Sequence, residues 1–198
     1  MKKIGITGGV GSGKSEVLKF LRQEYGAIVL EADAIGHEQM EPGTRGFAEI
    51  VEVFGSEILA EDGTIDRKAL GAIVFTDPEQ LARLNGIIHP NVASVIKERM
   101  AAAEDDGCEM VVVEAAILIE SGLDSLVDEL WYIYVEPEVR ITRLMASRGY
   151  TRQKCLDIMG NQMTEAEYRK ACHVVINNSD SWEETANAIR EHCQRQQR

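Results

Sequence analysis

Eight residues near the start of the chain, Gly8-Gly9-Val10-Gly11-Ser12-Gly13-Lys14-Ser15, limit the fold more than any other feature. They satisfy the pattern G-x-x-x-x-G-K-[ST]. Ahead of them Lys3–Thr7 reads as a buried strand, and after them Val17, Leu18, Leu21 and Tyr25 line one face of a helix. Glycines let backbone N–H groups converge on phosphate oxygens without Cβ clashes. The amino terminus of the following helix adds partial positive charge. Lys14 can then reach β- and γ-phosphates, and the Ser15 hydroxyl can ligate Mg²⁺. The competing reading is a Gly-rich turn without a ligand. No G-x-G-x-x-G register fits, so a dinucleotide fingerprint is excluded.

The rest of the chain fits an α/β protein. Short apolar runs at Ala27–Ala32, Glu109–Glu114 and Leu130–Val135, with a weaker one at His173–Asn177, read as further strands of a parallel sheet covered on both faces. Helical patterns lie between them. Phe47, Ile50, Val51 and Phe54 form one apolar face, and Pro78, Pro90 and Pro137 sit where helices could begin. Thr164-x-x-Glu167 and Ser181-x-x-Glu184 are capping-box patterns. The long stretch from Ala34 to Cys108, nearly all helical in pattern, reads as an insertion, since crossovers are typically far shorter. A second excursion, about 147–162, is rich in Arg and Lys.

At 198 residues the chain has the length of one domain. Its net charge of −12 keeps it soluble and repels polyanions, and no basic stripe suggests a nucleic-acid partner. No apolar run reaches membrane-helix length, and the start, Met1-Lys2-Lys3, lacks the features of a signal peptide. Cys108, Cys155, Cys172 and Cys193 form no Cys-x-x-Cys pair and read as free thiols in a reducing cytoplasm.

A phosphate loop alone leaves the reaction open. The guanine-reading Asn-Lys-x-Asp is absent, and Asp157-Ile-Met-Gly160 lies in a helical pattern. Asp33, just past the second strand, is placed where an open parallel sheet collects ligands, and could accept a proton from an attacking hydroxyl. Its alternative is a helix N-cap. Arg140, Arg143, Arg148 and Arg152 fit a phosphate-gripping lid or, alternatively, a solvated helix face. Glu114, at the end of the third strand, could hold a Mg²⁺ shell through water. Trp131 and Tyr132 read as packing. The expected fold is therefore a three-layer α/β/α P-loop kinase with a parallel five-stranded sheet, a helical insertion at about 34–108 and a lid at about 147–162.

With these residues assembled, the chain resembles the dephospho-coenzyme A kinase family over nearly its whole length. The resemblance is carried by Ile6–Ser15, Ala32-Asp33, Phe54-Gly55, Asp62-Gly63-Thr64-Ile65-Asp66-Arg67-Lys68-Ala69-Leu70 and His89-Pro90. Leu118-Ile119-Glu120, Arg143-Leu144 with Arg148, Gln162 and Val175-Ile176-Asn177-Asn178 complete it. It implies ATP-dependent phosphorylation of the ribose 3′-hydroxyl of dephospho-coenzyme A, with Mg²⁺ as cofactor. Asp33 matches the general base, with Lys14 and Arg143 as its catalytic companions. Gly9, Val10, Gly11, Ser12, Gly13, Lys14, Ser15, Arg143, Arg148 and Asn178 match the nucleotide side, Asn178 near the adenine. Arg67, His89 and Glu120 fall in motifs lining the acceptor side; His89 could instead be a partly buried residue at a helix end. Glu16, Glu31, Ala116, His173 and Asp180 depart from the family's usual residues but leave Lys14, Ser15 and Asp33 in place. The rival readings are a nucleoside monophosphate kinase-like enzyme and a non-catalytic nucleotide-binding regulator. Expected partners are small-molecule substrates, without nucleic acid or membrane, for a cytoplasmic monomer or small homo-oligomer.

Overall fold

The computed structural model describes residues 1–195. Five strands form one parallel sheet: β1 (Lys2–Thr7), β2 (Ile28–Glu31), β3 (Met110–Glu114), β4 (Glu129–Tyr134) and β5 (Val174–Asn177), in the order β2-β3-β1-β4-β5. The three central strands are the most buried and the edges β2 and β5 the least. In register, β1 lies between β3 (Ile4 beside Val112, Ile6 beside Glu114) and β4 (Ile6 beside Trp131, Thr7 beside Tyr132). Each expected strand is present within a residue or two of its predicted span.

Alternation decides which side chain meets which layer. Ile4, Ile6, Val112, Trp131, Ile133 and Ile176 point to one face, where α1 (Lys14–Tyr25) supplies Val17, Leu18 and Leu21 and α9 (Trp182–Arg195) supplies Ala186 and Ile189. On the opposite face Tyr132 stacks on Tyr168 of α8 (Glu165–Ala171), with centroids 4.5 Å apart and planes 11° from parallel. Trp131 and Tyr132 are thus packing residues, as expected. His173 does a backbone group's work at the sheet edge: its Nδ1 accepts from the Leu130 N–H (3.0 Å), while its own N–H donates to the Leu130 carbonyl (2.9 Å).

Two further helices follow β4. Pro137 starts α6 (Pro137–Arg148), and α7 (Arg152–Gly160) is capped by the Thr151 hydroxyl. Ile141, Leu144 and Cys155 form a small core between them, with Val10, Tyr150 and Met159 packed against it. Both capping boxes are formed, Thr164 with Glu167 and Ser181 with Glu184. The chain divides into two compact units, Met1–Val29 with the chain from Ala103 onward, and Leu30–Ala102.

The second unit holds α2 (Ala32–Glu38), α3 (Arg45–Phe54), α4 (Arg67–Val74) and most of α5 (Pro78–Asp105). Its core comprises Ile50, Phe54, Ile58, Ile65, Leu70 and Val74. Asp66 caps α4 by accepting from the Lys68 and Ala69 N–H groups at 2.8 and 3.2 Å. Pro90 corrects an expectation: it starts no helix but lies inside α5. Val92, Ile96 and Met100 are all buried beyond it, so packing carries the helix through the break. The Asn91 amide supports the interruption, donating to the Ile87 carbonyl (2.9 Å) and to Glu49 Oε2 (2.8 Å).

Candidate active site

The loop between β1 and α1 has the shape its sequence demands. α1 begins at Lys14 with Gly13 as its cap, at φ 84°, and no side chain caps its first turn. Its leading N–H groups are thus left for an anion. The Ser12 hydroxyl beside them is buried, at 2% exposure, and has no hydrogen-bond partner among the described residues. A buried donor left in this state favours a polar ligand.

Lys14 is held on two sides. Its Nζ donates to the Gly8 carbonyl at 2.8 Å and lies 3.5 Å from Glu114 Oε1. The register that sets Ile6 beside Glu114 brings this acid to the carboxyl end of β3. Ser15 is exposed at the start of α1. The Ser15 hydroxyl and the Glu114 carboxylate are hard oxygen donors of the kind Mg²⁺ takes. Among the described residues no group of three or more His, Cys, Asp or Glu could hold a metal by itself. These residues therefore fit a Mg²⁺ ion that takes most of its ligands from nucleotide phosphates and water.

Residues far along the chain brace the loop. Asn178, buried just past β5, donates from Nδ2 to the Ser12 carbonyl at 2.8 Å. Its Oδ1 accepts from the Thr185 hydroxyl (3.0 Å), and its N–H donates to the Tyr134 carbonyl (2.8 Å). Arg143 donates from Nη1 to the Asn178 carbonyl at 2.7 Å. Asn178 thus touches the loop itself. A side chain at Gly13 would run into the Asn178 amide.

The four arginines do not act as one group. Arg140 and Arg143 turn toward backbone carbonyls, of Val10 and Asn178. Arg152 forms a two-pronged pair with Glu138, at 2.6 and 2.8 Å, on the exposed surface. That guanidinium holds the Glu138 carboxyl below its usual pKa. Arg148 is exposed, with its guanidinium carbon 6.0 Å from the centre of the Tyr150 ring.

The acceptor-side candidates are placed as follows. Asp33 is the second residue of α2; Glu31 occupies the cap position, so the N-cap alternative for Asp33 is corrected. Strand β2 ends in extended geometry at Glu31, and the helix has already begun when the chain reaches Asp33. The Asp33 carboxylate is exposed. Arg67 opens α4, exposed, with Nη2 3.8 Å from Glu41 Oε1. His89 is partly buried in the middle of α5, not at a helix end. These three belong to the helical unit, whereas Glu120 is exposed in the turns after β3.

Sequence comparison agrees with the loop. The dephospho-CoA kinase family matches residues 2–184. A curated Dephospho-CoA kinase of Carboxydothermus hydrogenoformans is 41% identical over 186 residues, covering 94% of this chain and 90% of the relative. A crystal structure from Thermus thermophilus is similar with a TM-score of 0.80 at 32% identity, covering 98% of this chain and 97% of that one. The structure of the dephospho-CoA kinase from Campylobacter jejuni is similar with a TM-score of 0.71 at 25% identity, covering 97% and 98%. On the match across residues 2–184 and on these similarities, the chain belongs to the dephospho-CoA kinase family.

Proposed function

We propose that this protein transfers the γ-phosphoryl group of ATP to the ribose 3′-hydroxyl of dephospho-coenzyme A, giving coenzyme A and ADP. One observation carries this reading. In a chain matched to this kinase family, the loop that would cradle the triphosphate is braced and has Lys14 and Ser15 at its helical end. In this reading the N–H groups of Gly11, Gly13, Lys14 and Ser15 and the Lys14 ammonium bind β- and γ-phosphate oxygens, so the reacting phosphorus is fixed before transfer. The Ser15 hydroxyl and, through water, the Glu114 carboxylate would hold Mg²⁺, which would neutralise charge on those oxygens.

The remaining roles follow from chemistry and resemblance together. Asp33 orients the 3′-hydroxyl and accepts its proton as the new P–O bond forms. A carboxylate is a weak base, which suits a loose transition state in which the proton leaves late. Arg143 and Arg148 serve the nucleotide side. Asn178 serves it through Ser12, because its amide is already engaged with the loop. Arg67, His89 and Glu120 serve the acceptor side. The helical insertion of about 34–108 holds the acceptor, and the segment of about 147–162 acts as a lid. The proposed place of work is the cytoplasm. Cys108, Cys155, Cys172 and Cys193 all carry free thiols, which suits a reducing compartment. Among the described residues no helix is long and apolar enough to cross a membrane. A monomer or small homo-oligomer is the form proposed.

The test is mass-resolved product formation from protein, Mg·ATP and dephospho-coenzyme A, with a Lys14→Ala control. The expected product is heavier by one phosphoryl group and is lost in the control. ATP binding without that product would overturn the choice of acceptor.

A further inference from the structure

Val10, the third residue of the phosphate loop, is gripped from both ends of its peptide. Its N–H donates to Gln162 Oε1 at 3.3 Å. Its carbonyl accepts from Arg140 Nε at 2.5 Å. Arg140 Nη2 donates to that same Gln162 oxygen, which closes a ring of three residues. The Val10 side chain packs on the Ile141, Leu144 and Cys155 core of α6 and α7. The Arg140 guanidinium also lies where a side chain on Gly9 would be, so the loop can pass only because residue 9 has none.

The charge on Arg140 is the second observation. No carboxylate pairs with it among the described residues; its hydrogen-bond partners are the Val10 carbonyl and the Gln162 amide oxygen. Burial pulls its pKa below the ordinary guanidinium value, as expected for a cation removed from water without a counter-ion. Arg152, by contrast, is fully matched by Glu138 on the surface. The fold thus leaves a positive charge against the loop with backbone and amide oxygens as its hydrogen-bond partners. An anion bound in the loop would supply the missing opposite charge.

We propose that Arg140 and Gln162 are a coupled pair of positioning residues for the phosphoryl transfer, acting through the Val10 peptide. They hold the loop in its phosphate-binding shape and link it to the end of the 147–162 segment, where Gln162 sits. The ring does not touch the reacting atoms. It makes nucleotide affinity depend on the position of a residue beyond α7. The inference rests on the loop being the ATP site.

The experiment compares Arg140→Met, Arg140→Lys, Gln162→Met and the Arg140/Gln162 double methionine variant, with Lys14→Ala alongside. ATP affinity is read by calorimetry, kcat and both KM values by steady-state kinetics, and folding by thermal melts. A lost charge-assisted hydrogen bond predicts a rise of about tenfold or more in the Kd and KM for ATP for each single variant. The KM for dephospho-coenzyme A stays within about twofold, because the ring serves only the nucleotide side. Lysine at 140 does not restore affinity, since it lacks the fork that reaches both oxygens. The double variant is no worse than the weaker single variant, as two members of one network require.

The proposal is overturned by a folded Gln162→Met protein with wild-type ATP affinity, by additive losses in the double variant, or by full rescue with lysine. Should Arg140→Met fail to fold, Gln162→Met, which removes only the shared acceptor, decides alone. Wild-type ATP affinity in Lys14→Ala would instead overturn the reading of the loop itself. Loss there with no effect at Gln162 would overturn only the coupling.

Discussion

A single carboxylate carries the proposed proton transfer, and its surroundings make it easy to test. Asp33 is exposed and caps no helix. Asp33→Asn keeps the shape and removes the base. We expect kcat to fall about 10²–10⁴-fold, with the melting temperature unchanged. Normal turnover in that variant would sink the assignment. Gly13 is the opposite case. Its φ of 84° and the nearby Asn178 amide both oppose a side chain. Gly13→Ala is expected to destabilise the protein by about 1–3 kcal/mol and to abolish ATP binding. Thermal melts and calorimetry on the same sample check both effects. Lys14 and Ser15 are legible in the sequence because their motif is contiguous. The Arg140–Val10–Gln162 ring is not, because its members lie 130 and 22 positions apart and meet only after folding. For Glu114 the signal was its place at the end of an apolar strand. What the sequence alone could not show was that β1 and β3 would be neighbours, which brings it 3.5 Å from Lys14.

Among the elements, the strands were readable because a sheet buried on both faces leaves unbroken apolar runs. α5 was not. Proline normally marks the start of a helix, and Pro90 reads that way locally. Burial of Val92, Ile96 and Met100 keeps the helix going, a tertiary effect that no local pattern contains. The ring at 90 still removes one N–H from the helix. Pro90→Ala is therefore expected to stabilise the protein, by about 1–3 kcal/mol, read as a higher melting temperature. A lower one would mean that the site needs proline's fixed geometry. Asp66→Ala should move stability the other way, by about 1 kcal/mol, since it strips α4 of its cap.

For the molecule as a whole, charge sets the stable pH range. Several carboxylates are held below their ordinary pKa. In Glu129 burial acts to raise the value, but hydrogen bonds from Trp131 and His192 and the charge of Lys2 outweigh it. In Glu167 and Glu184 the capping boxes supply the hydrogen bonds. A depressed carboxyl adds stability above its unfolded pKa of about 4.3 and loses it as pH falls through the lower folded value. Burial pushes Tyr25 and Tyr132 up to about 12. Their contribution is complete below about pH 10 and is lost as pH rises toward the folded value. Burial also pushes the Cys172 thiol up to about 11, so melting temperature plotted against pH should be flat between about 5 and 8 and fall on both sides. Glu129→Gln should shrink the fall on the acid side. An unchanged acid limb would show that Glu129 is not among its sources.

The braces on the phosphate loop also set an order of assembly. The loop is complete in sequence at Ser15, yet the groups that hold Val10 and Ser12 come from Arg140, Gln162 and Asn178. At the usual pace of translation, about ten to thirty seconds separate synthesis of the loop from synthesis of its last brace. During synthesis the chain therefore carries its first motif without its braces. A truncated product that ends before Arg140 carries the full phosphate-binding signature without any of these braces, and is expected to bind ATP more weakly than the finished protein.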